Sequence, residues 1–218
     1  KGSFASSTRG FDAGGATPTL KTDIEYVIIS SQGGGNDFGD LIEARSYCGG
    51  ASNATRGIIA GGNINPTPGT LTSTIESVEM ATTAEASDFG DLSLARTFLS
   101  GAGCQSTTRG LFSGGGNPAV NVIDFVTIMT TGNATDFGDL KDTETRRESC
   151  CSSTRGVIAG GNSPTSNKLI EFLTIATTGN TVTFGELTVG RVNAGSASSP
   201  TRGVFVGGGN PPTNINTI

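Results

Sequence analysis

The chain has 218 residues, of which 34 are glycine, 15% are charged and 6% are aromatic, and its net charge is −5. A pI near 4.7 argues against nucleic acid as the main partner, because phosphate contacts need a basic face, and no apolar run approaches the roughly 20 residues that a membrane-spanning helix needs, so no membrane insertion is expected. Histidine and tryptophan are both absent, which removes His-based triads and most zinc, copper or iron sites, and weakens any aromatic platform for sugars or single strands.

In chain order, Lys1 to Ser7 reads as a short first strand, followed by Thr8-Arg9-Gly10 and a second strand closed by Gly14-Gly15. Ile24-Glu25 opens a third strand of period two with one buried face. A turn follows, and Asp37-Phe38-Gly39-Asp40-Leu41 is a fourth, outer strand. The same four phrases then return. Thr-Arg-Gly recurs at Thr8, Thr55, Thr108, Thr154 and Thr201, in steps of 47, 53, 46 and 47, with a glycine pair six residues after each Thr. From the isoleucine of Ile24, Ile75, Ile123 and Ile170 to the phenylalanine of Phe38, Phe89, Phe137 and Phe184 the distance is 14 every time. The turn before that phenylalanine, Thr-Thr-Gly-Asn in its fullest form, suits Gly and Asn because both tolerate positive φ. Long amphipathic helices are absent.

Four strands in about 47 residues, with the second ending in Gly-Gly, is the blade period of a propeller. The expected fold is therefore all-β, a β-propeller of four-stranded blades, with a stacked β-solenoid as the alternative. The repeats run approximately 1–44, 45–95, 96–143 and 144–190, with a partial fifth over 191–218, in a single array covering 1–218. The fifth unit stops four residues into its third strand, at Ile215-Asn216-Thr217-Ile218. The natural polypeptide is accordingly expected to continue past Ile218 and to begin before Lys1.

The order of an arginine, an apolar strand with Gly-Gly, an apolar-acidic strand and an aromatic strand resembles the kelch repeat, with Phe where kelch repeats usually carry Trp. The fuller wording is Ser-x-Thr-Arg-Gly, three apolar residues and Gly-Gly, then Ala-Thr-Thr-Gly-Asn-Ala-x-Asp-Phe-Gly-Asp-Leu. It is similar to kelch-like repeats of marine bacteriophage (cyanophage-type) virion proteins, over essentially the whole chain. The resemblance implies a non-enzymatic virion structural protein, a fibre, tail or capsid-surface component located in the extracellular particle. Its implied partners are other virion proteins or a host surface receptor, protein or glycan, and it could be a homo-oligomer. A kelch-type interaction adaptor and a glycan-acting propeller enzyme are the alternatives.

Arg9, Arg56, Arg109, Arg155 and Arg202 could ring an anionic ligand. The plainer expectation is structural: each pairs with a carboxylate such as Asp37, Asp40, Asp88, Asp91, Asp136 or Asp139, or with strand-end carbonyls, since bidentate pairing favours Arg over Lys. Phe38, Phe89, Phe137 and Phe184 are expected to be buried at equivalent positions, because an apolar residue flanked by acids faces inward. Cys104 and Cys150 occupy a position filled elsewhere by Phe4, Ala51 and Ala197, which marks packing thiols. A Cys104–Cys150 disulfide needs Cα atoms within about 7 Å. No catalytic residue, metal or cofactor is expected. Length varies between the glycine pair and the third strand. That rim, with Asn65, Pro66, Asn117, Pro118, Asn162, Pro164, Asn210 and Pro211, is the candidate recognition surface.

Overall fold

A computed structural model describes residues 1–65, 69–99, 104–162, 165–210 and 213–214. All regular structure among them is β, in antiparallel sheets arranged as a β-propeller. The first blade is β1 (Gly2–Ala5), β2 (Arg9–Ala13), β3 (Asp23–Ile28) and β4 (Asn36–Asp40). The second is β5 (Gly49–Ser52), β6 (Arg56–Ala60), β7 (Thr74–Glu79) and β8 (Ser87–Asp91). The third has β9 (Arg109–Ser113), β10 (Val122–Thr127) and β11 (Thr135–Asp139), with Gln105 bridging to Gly110 where a first strand would lie. The fourth is β12 (Glu148–Cys151), β13 (Arg155–Ala159), β14 (Leu169–Thr174) and β15 (Val182–Glu186). A fifth begins with the pair β16 (Gly195–Ser198) and β17 (Gly203–Val206), followed by the small hairpin β18 (Gly209–Asn210) and β19 (Thr213–Asn214).

The expected solenoid alternative fails on one feature. In a solenoid, equivalent loops run in a line, whereas here the first-to-second-strand loops of all five repeats, from Ala5–Ser7 round to Ser198–Pro200, surround one depression of about 430 Å³. The units are therefore arranged about a common axis.

The constant interval from Ile to Phe has a geometric cause. In each of the four blades the pairing of third and fourth strands shifts by one residue at the Ile-acid step: Ile24 faces Gly39 but Glu25 faces Asp37, and the same occurs at Ile75/Glu76, Ile123/Asp124 and Ile170/Glu171. The phenylalanine is thus the extra residue of a β-bulge, which re-aims its side chain. The glycine after it adopts φ of 146°, 146° and 141° at Gly39, Gly90 and Gly138. A Cβ there would lie 2.5–2.6 Å from the backbone of Ala84, Gly132 or Gly179, in the turn of the next blade.

That turn does more than reverse the chain. Gly132 and Ala134 donate backbone hydrogen bonds to the carbonyls of Phe89 and Asp91, both 2.7 Å, and Gly179 and Thr181 repeat this on Phe137 and Asp139. The outer strand edges of the first three blades are thus covered by the following blade, which protects them from other pairing.

The blades pack through small-residue contacts. A Cβ on Gly57 would sit 2.2 Å from the Phe4 ring, on Gly110 2.9 Å from Ala51, and on Gly156 2.4 Å from the Cys104 sulfur. The glycine of Thr-Arg-Gly therefore receives the preceding blade's first strand. Three successive cores form between blades, the first joining Phe4, Phe11 and Phe38 to Ile59, Val78 and Met80. Third strands are buried on both faces in the middle of the array, Glu76 included, where a single buried face was expected. A strand sandwiched between two blades has no solvent face.

The two ends differ. Val27 and Ile29 of the first blade are 44% and 59% exposed, whereas the equivalent Val78 and Met80 are each 2% exposed. At the other end Phe38, Phe89 and Phe137 are each 2% exposed, but Phe184 is 58% exposed and Gly185 has nothing within 4 Å of its Cβ direction. The expectation of burial fails for Phe184 because the third strand and turn that cover the other three rings have no counterpart among the described residues after β17. Ile215–Ile218, expected to begin that strand, lie outside the described residues.

Candidate functional site

The repeated charged residues lie mainly between blades. Arg9 Nη1 donates to the Met80 and Ala81 carbonyls (2.9 and 3.3 Å), Arg56 Nη1 to Ile128 (3.3 Å) and Arg109 Nη1 to Ile175 (3.0 Å). Each thus ties its own second strand to the end of the next blade's third strand. Arg9, Arg109 and Arg155 also lie over Tyr26, Phe125 and Phe172, 4.5–4.7 Å from the ring centroids. Arg155 and Arg202 are exposed. None of the aspartates named from sequence is an ion-pair partner of these arginines among the described residues; Arg56 pairs instead with Glu79 at 2.6 Å. Asp40 and Asp91 accept from Thr22 and Ser73 at the base of their own blades.

The stronger charge pairs were missed by sequence reasoning. Arg45–Glu76, Arg96–Asp124 and Arg147–Glu171 are ion pairs in which both side chains are 0% exposed. The acid belongs to a third strand and the arginine to the segment entering that blade. The first residue after each blade's closing leucine completes the clamp: Ile42 N–H donates to Glu76 (2.8 Å), Ser93 N–H to Asp124 (3.2 Å) and Lys141 N–H to Glu171 (2.8 Å). Arg96 adds hydrogen bonds to the Gly114 and Val122 carbonyls (3.1 and 2.8 Å). Burial pushes the Glu76 carboxyl up and is opposed by the Arg45 charge and the Ile42 and Glu43 amides. Burial also lowers Arg96, opposed by Asp124. A buried acid is tolerated only when paired and hydrogen-bonded, and these donors meet that condition. Glu25, the first blade's equivalent, is exposed and makes no ion pair among the described residues.

The fourth blade solves the same problem differently. Gly115 donates to the Glu144 carbonyl where Gly15 and Gly62 donate to those of Arg45 and Arg96, so Glu144 stands at the arginine's place. Its guanidinium is supplied three residues later by Arg147. Glu144 turns to Asn167, whose Nδ2 donates at 2.7 Å. The sequence signal was available: an acid in the middle of an apolar strand demands a cation, and Arg recurs a few residues after each Phe-Gly-Asp-Leu.

The variable rim is only partly open. Asn117 and Pro118 are exposed. Asn65 is half-buried and donates its N–H to Asn63 Oδ1 (3.2 Å). Asn162 bridges Thr145 and Ser166, and Asn210 belongs to β18 and is half-buried. Pro66, Pro164 and Pro211 lie outside the described residues. The rim is held by the inter-blade linkers, which pair with the loops at Ser46–Asn63 and Thr145–Asn162.

On that rim, at the axis, lies a mouth of about 220 Å³. Four residues at equivalent positions around it, Tyr47, Phe98, Arg146 and Asn193, have φ of 55°, 53°, 59° and 49°. A left-handed conformation costs a non-glycine residue about 1–2 kcal/mol, least for Asn. They are joined by backbone hydrogen bonds: Phe98 N–H donates to Tyr47 (3.0 Å), Arg146 to Phe98 (3.3 Å) and Asn193 to Arg146 (3.4 Å). Tyr47 and Phe98 have ring centroids 4.4 Å apart, and the Arg146 guanidinium lies 4.6 Å from the Phe98 centroid. Beside them Glu148, half-buried, has its carboxyl pushed up to about 7 by burial.

The four cysteines are free; Cys48, Cys104 and Cys150 are buried and Cys151 is half-buried. Burial raises all four thiols, Cys150 to about 11. Among the described residues no three His, Cys, Asp or Glu side chains are grouped to hold a metal ion.

No family model matches the chain, and no curated protein is significantly similar to it. The fold defines its class: a β-propeller whose blades are joined by buried arginine–carboxylate clamps.

Proposed function

We propose that the chain is a non-enzymatic structural component of a bacteriophage virion, in a fibre, tail or capsid surface, which presents its variable rim to a host receptor or to other virion proteins. The observation that carries the non-enzymatic half is where the recurring charges go. Three of the recurring third-strand acids are buried in clamps that join blades, and three of the Thr-Arg-Gly arginines bond to the next blade's carbonyls. Such groups hold a scaffold together and are not free to act as acid, base or nucleophile. The virion half rests on the wording of the repeats. Its support is that one rim keeps nearly the same turn in blade after blade while the other varies in length and sequence, the usual layout of a recognition surface on a rigid frame.

Mass spectrometry of density-banded phage particles tests this reading. Peptides of this chain should co-purify with the particles at a structural stoichiometry and persist through a salt wash. Recovery only in soluble complexes of uninfected cells would overturn it in favour of the adaptor reading.

A further inference from the structure

The mouth on the propeller axis has features that the scaffold does not require. At a φ near +55°, Gly or Asn is the least strained choice, and the fifth repeat does carry Asn193. The other three equivalent positions carry Tyr47, Phe98 and Arg146. The backbone hydrogen bonds that join the four blades here run through N–H and C=O groups, so any residue would serve them. Bulky residues are kept where the backbone disfavours them, and strain of this kind gathers at sites of function.

The side chains also match one chemistry. Tyr47 is 52% exposed and offers an aromatic face with a hydroxyl. Arg146 is stacked on Phe98, which orients its guanidinium, and it makes no ion pair among the described residues. Asn193 is exposed at the same mouth. Lys1 adds positive charge, although it is already bonded to Asp12 at 2.6 Å. Glu148, the one acid among the described residues that line the mouth, is raised by burial and so carries less charge near neutrality than an ordinary glutamate. In a chain of net charge −5, this is a local patch of the opposite sign.

We propose that this mouth is a binding site for a carboxylated sugar residue of the hexuronate type. The carboxylate meets the Arg146 guanidinium, the apolar ring face lies against Tyr47, and Asn193 serves the hydroxyls. A volume of about 220 Å³ leaves room for one such ring. Arginine is suited to a carboxylate by its planar fork. A peptide is the poorer fit, because extended peptides are held by free strand edges, and the backbone lining this mouth is already bonded from blade to blade. The site stands apart from the virion assignment, and each can fail without the other.

Tyrosine fluorescence is a direct readout, since the chain has two tyrosines and no tryptophan. Titration with trigalacturonate should give a saturable change that survives Tyr26→Phe, and galactotriose should bind at least tenfold more weakly. Arg146→Asn keeps a residue that accepts the left-handed backbone, and it should weaken trigalacturonate binding at least tenfold with a melting temperature no lower than that of wild type. Asn193→Asp, at an exposed position, should do the same by charge repulsion. Three results would each overturn the proposal: no saturable response at millimolar trigalacturonate, a response unaltered in both variants, or equal binding of acetate or of a peptide with a free C-terminal carboxylate.

Discussion

Replacing Arg96 with Met removes the cation from the second-to-third-blade clamp while keeping much of its apolar stem. Asp124, 0% exposed, would lose the guanidinium at 2.5 Å and keep only the Ser93 N–H and hydroxyl, at 3.2 and 2.9 Å. The Gly114 and Val122 carbonyls would lose their Nη1 donor as well. Breaking a buried pair from one side costs about 3–5 kcal/mol, because the remaining charge stays desolvated. For a cooperative domain of this size, that corresponds to a fall of about 6–20 °C in melting temperature. Urea denaturation of Arg96→Met, Asp124→Leu and the double variant measures the coupling. The double variant should recover most of the loss, since replacing the whole pair by apolar residues is often neutral. Glu79→Gln, which breaks the partly exposed pair to Arg56, supplies the control at about 0–1 kcal/mol. If Arg96→Met costs no more than Glu79→Gln, the clamps do not hold the blades together and the reasoning fails.

Phe89→Ala should cost about 3–5 kcal/mol in denaturant unfolding, whereas Phe184→Ala, at a ring 58% exposed, should cost under about 1 kcal/mol. Gly57→Ala places a Cβ 2.2 Å from the Phe4 ring; it should destabilise by about 1–3 kcal/mol, and Phe4→Leu in the same chain should restore part of that. Glu148 carries a folded-state pKa raised from 4.5 to about 7 by burial, so its ionisation opposes folding. The stability present below the unfolded value is lost as pH rises through 4.5 to 7. Glu148→Gln should therefore match wild type near pH 4.5 and exceed it by about 2 kcal/mol at pH 8, after allowing for solvent at the mouth, as read by thermal melts across that range. Equal pH profiles for the two chains would refute that assignment.

The four-strand unit, its period and the all-β class were legible in the sequence because each depends on local pattern: alternation, turn residues and a spacing that repeats. The 14-residue interval from Ile to Phe was visible as a rule, but its cause was not. A bulge at Ile24/Glu25 and a glycine pressed by the next blade at Ala84 are facts about two strands and two blades, which no single segment encodes. The same holds for the clamps. Arg45, Arg96 and Arg147 lie 31, 28 and 24 residues before their acids, and the fourth blade exchanges the roles of two positions, so the partners share no fixed spacing. Phe184 reads like Phe38, Phe89 and Phe137 in sequence, yet burial belongs to the neighbour and not to the residue: three rings are covered by a following blade, and the fourth has no such cover among the described residues. The mouth is a further case. Tyr47, Phe98, Arg146 and Asn193 have no chemistry in common, and only the closing of successive blades about one axis gives them the same backbone geometry and a shared opening. Local propensity determined the blade, and contact between blades determined which of its residues are buried, paired or free to bind.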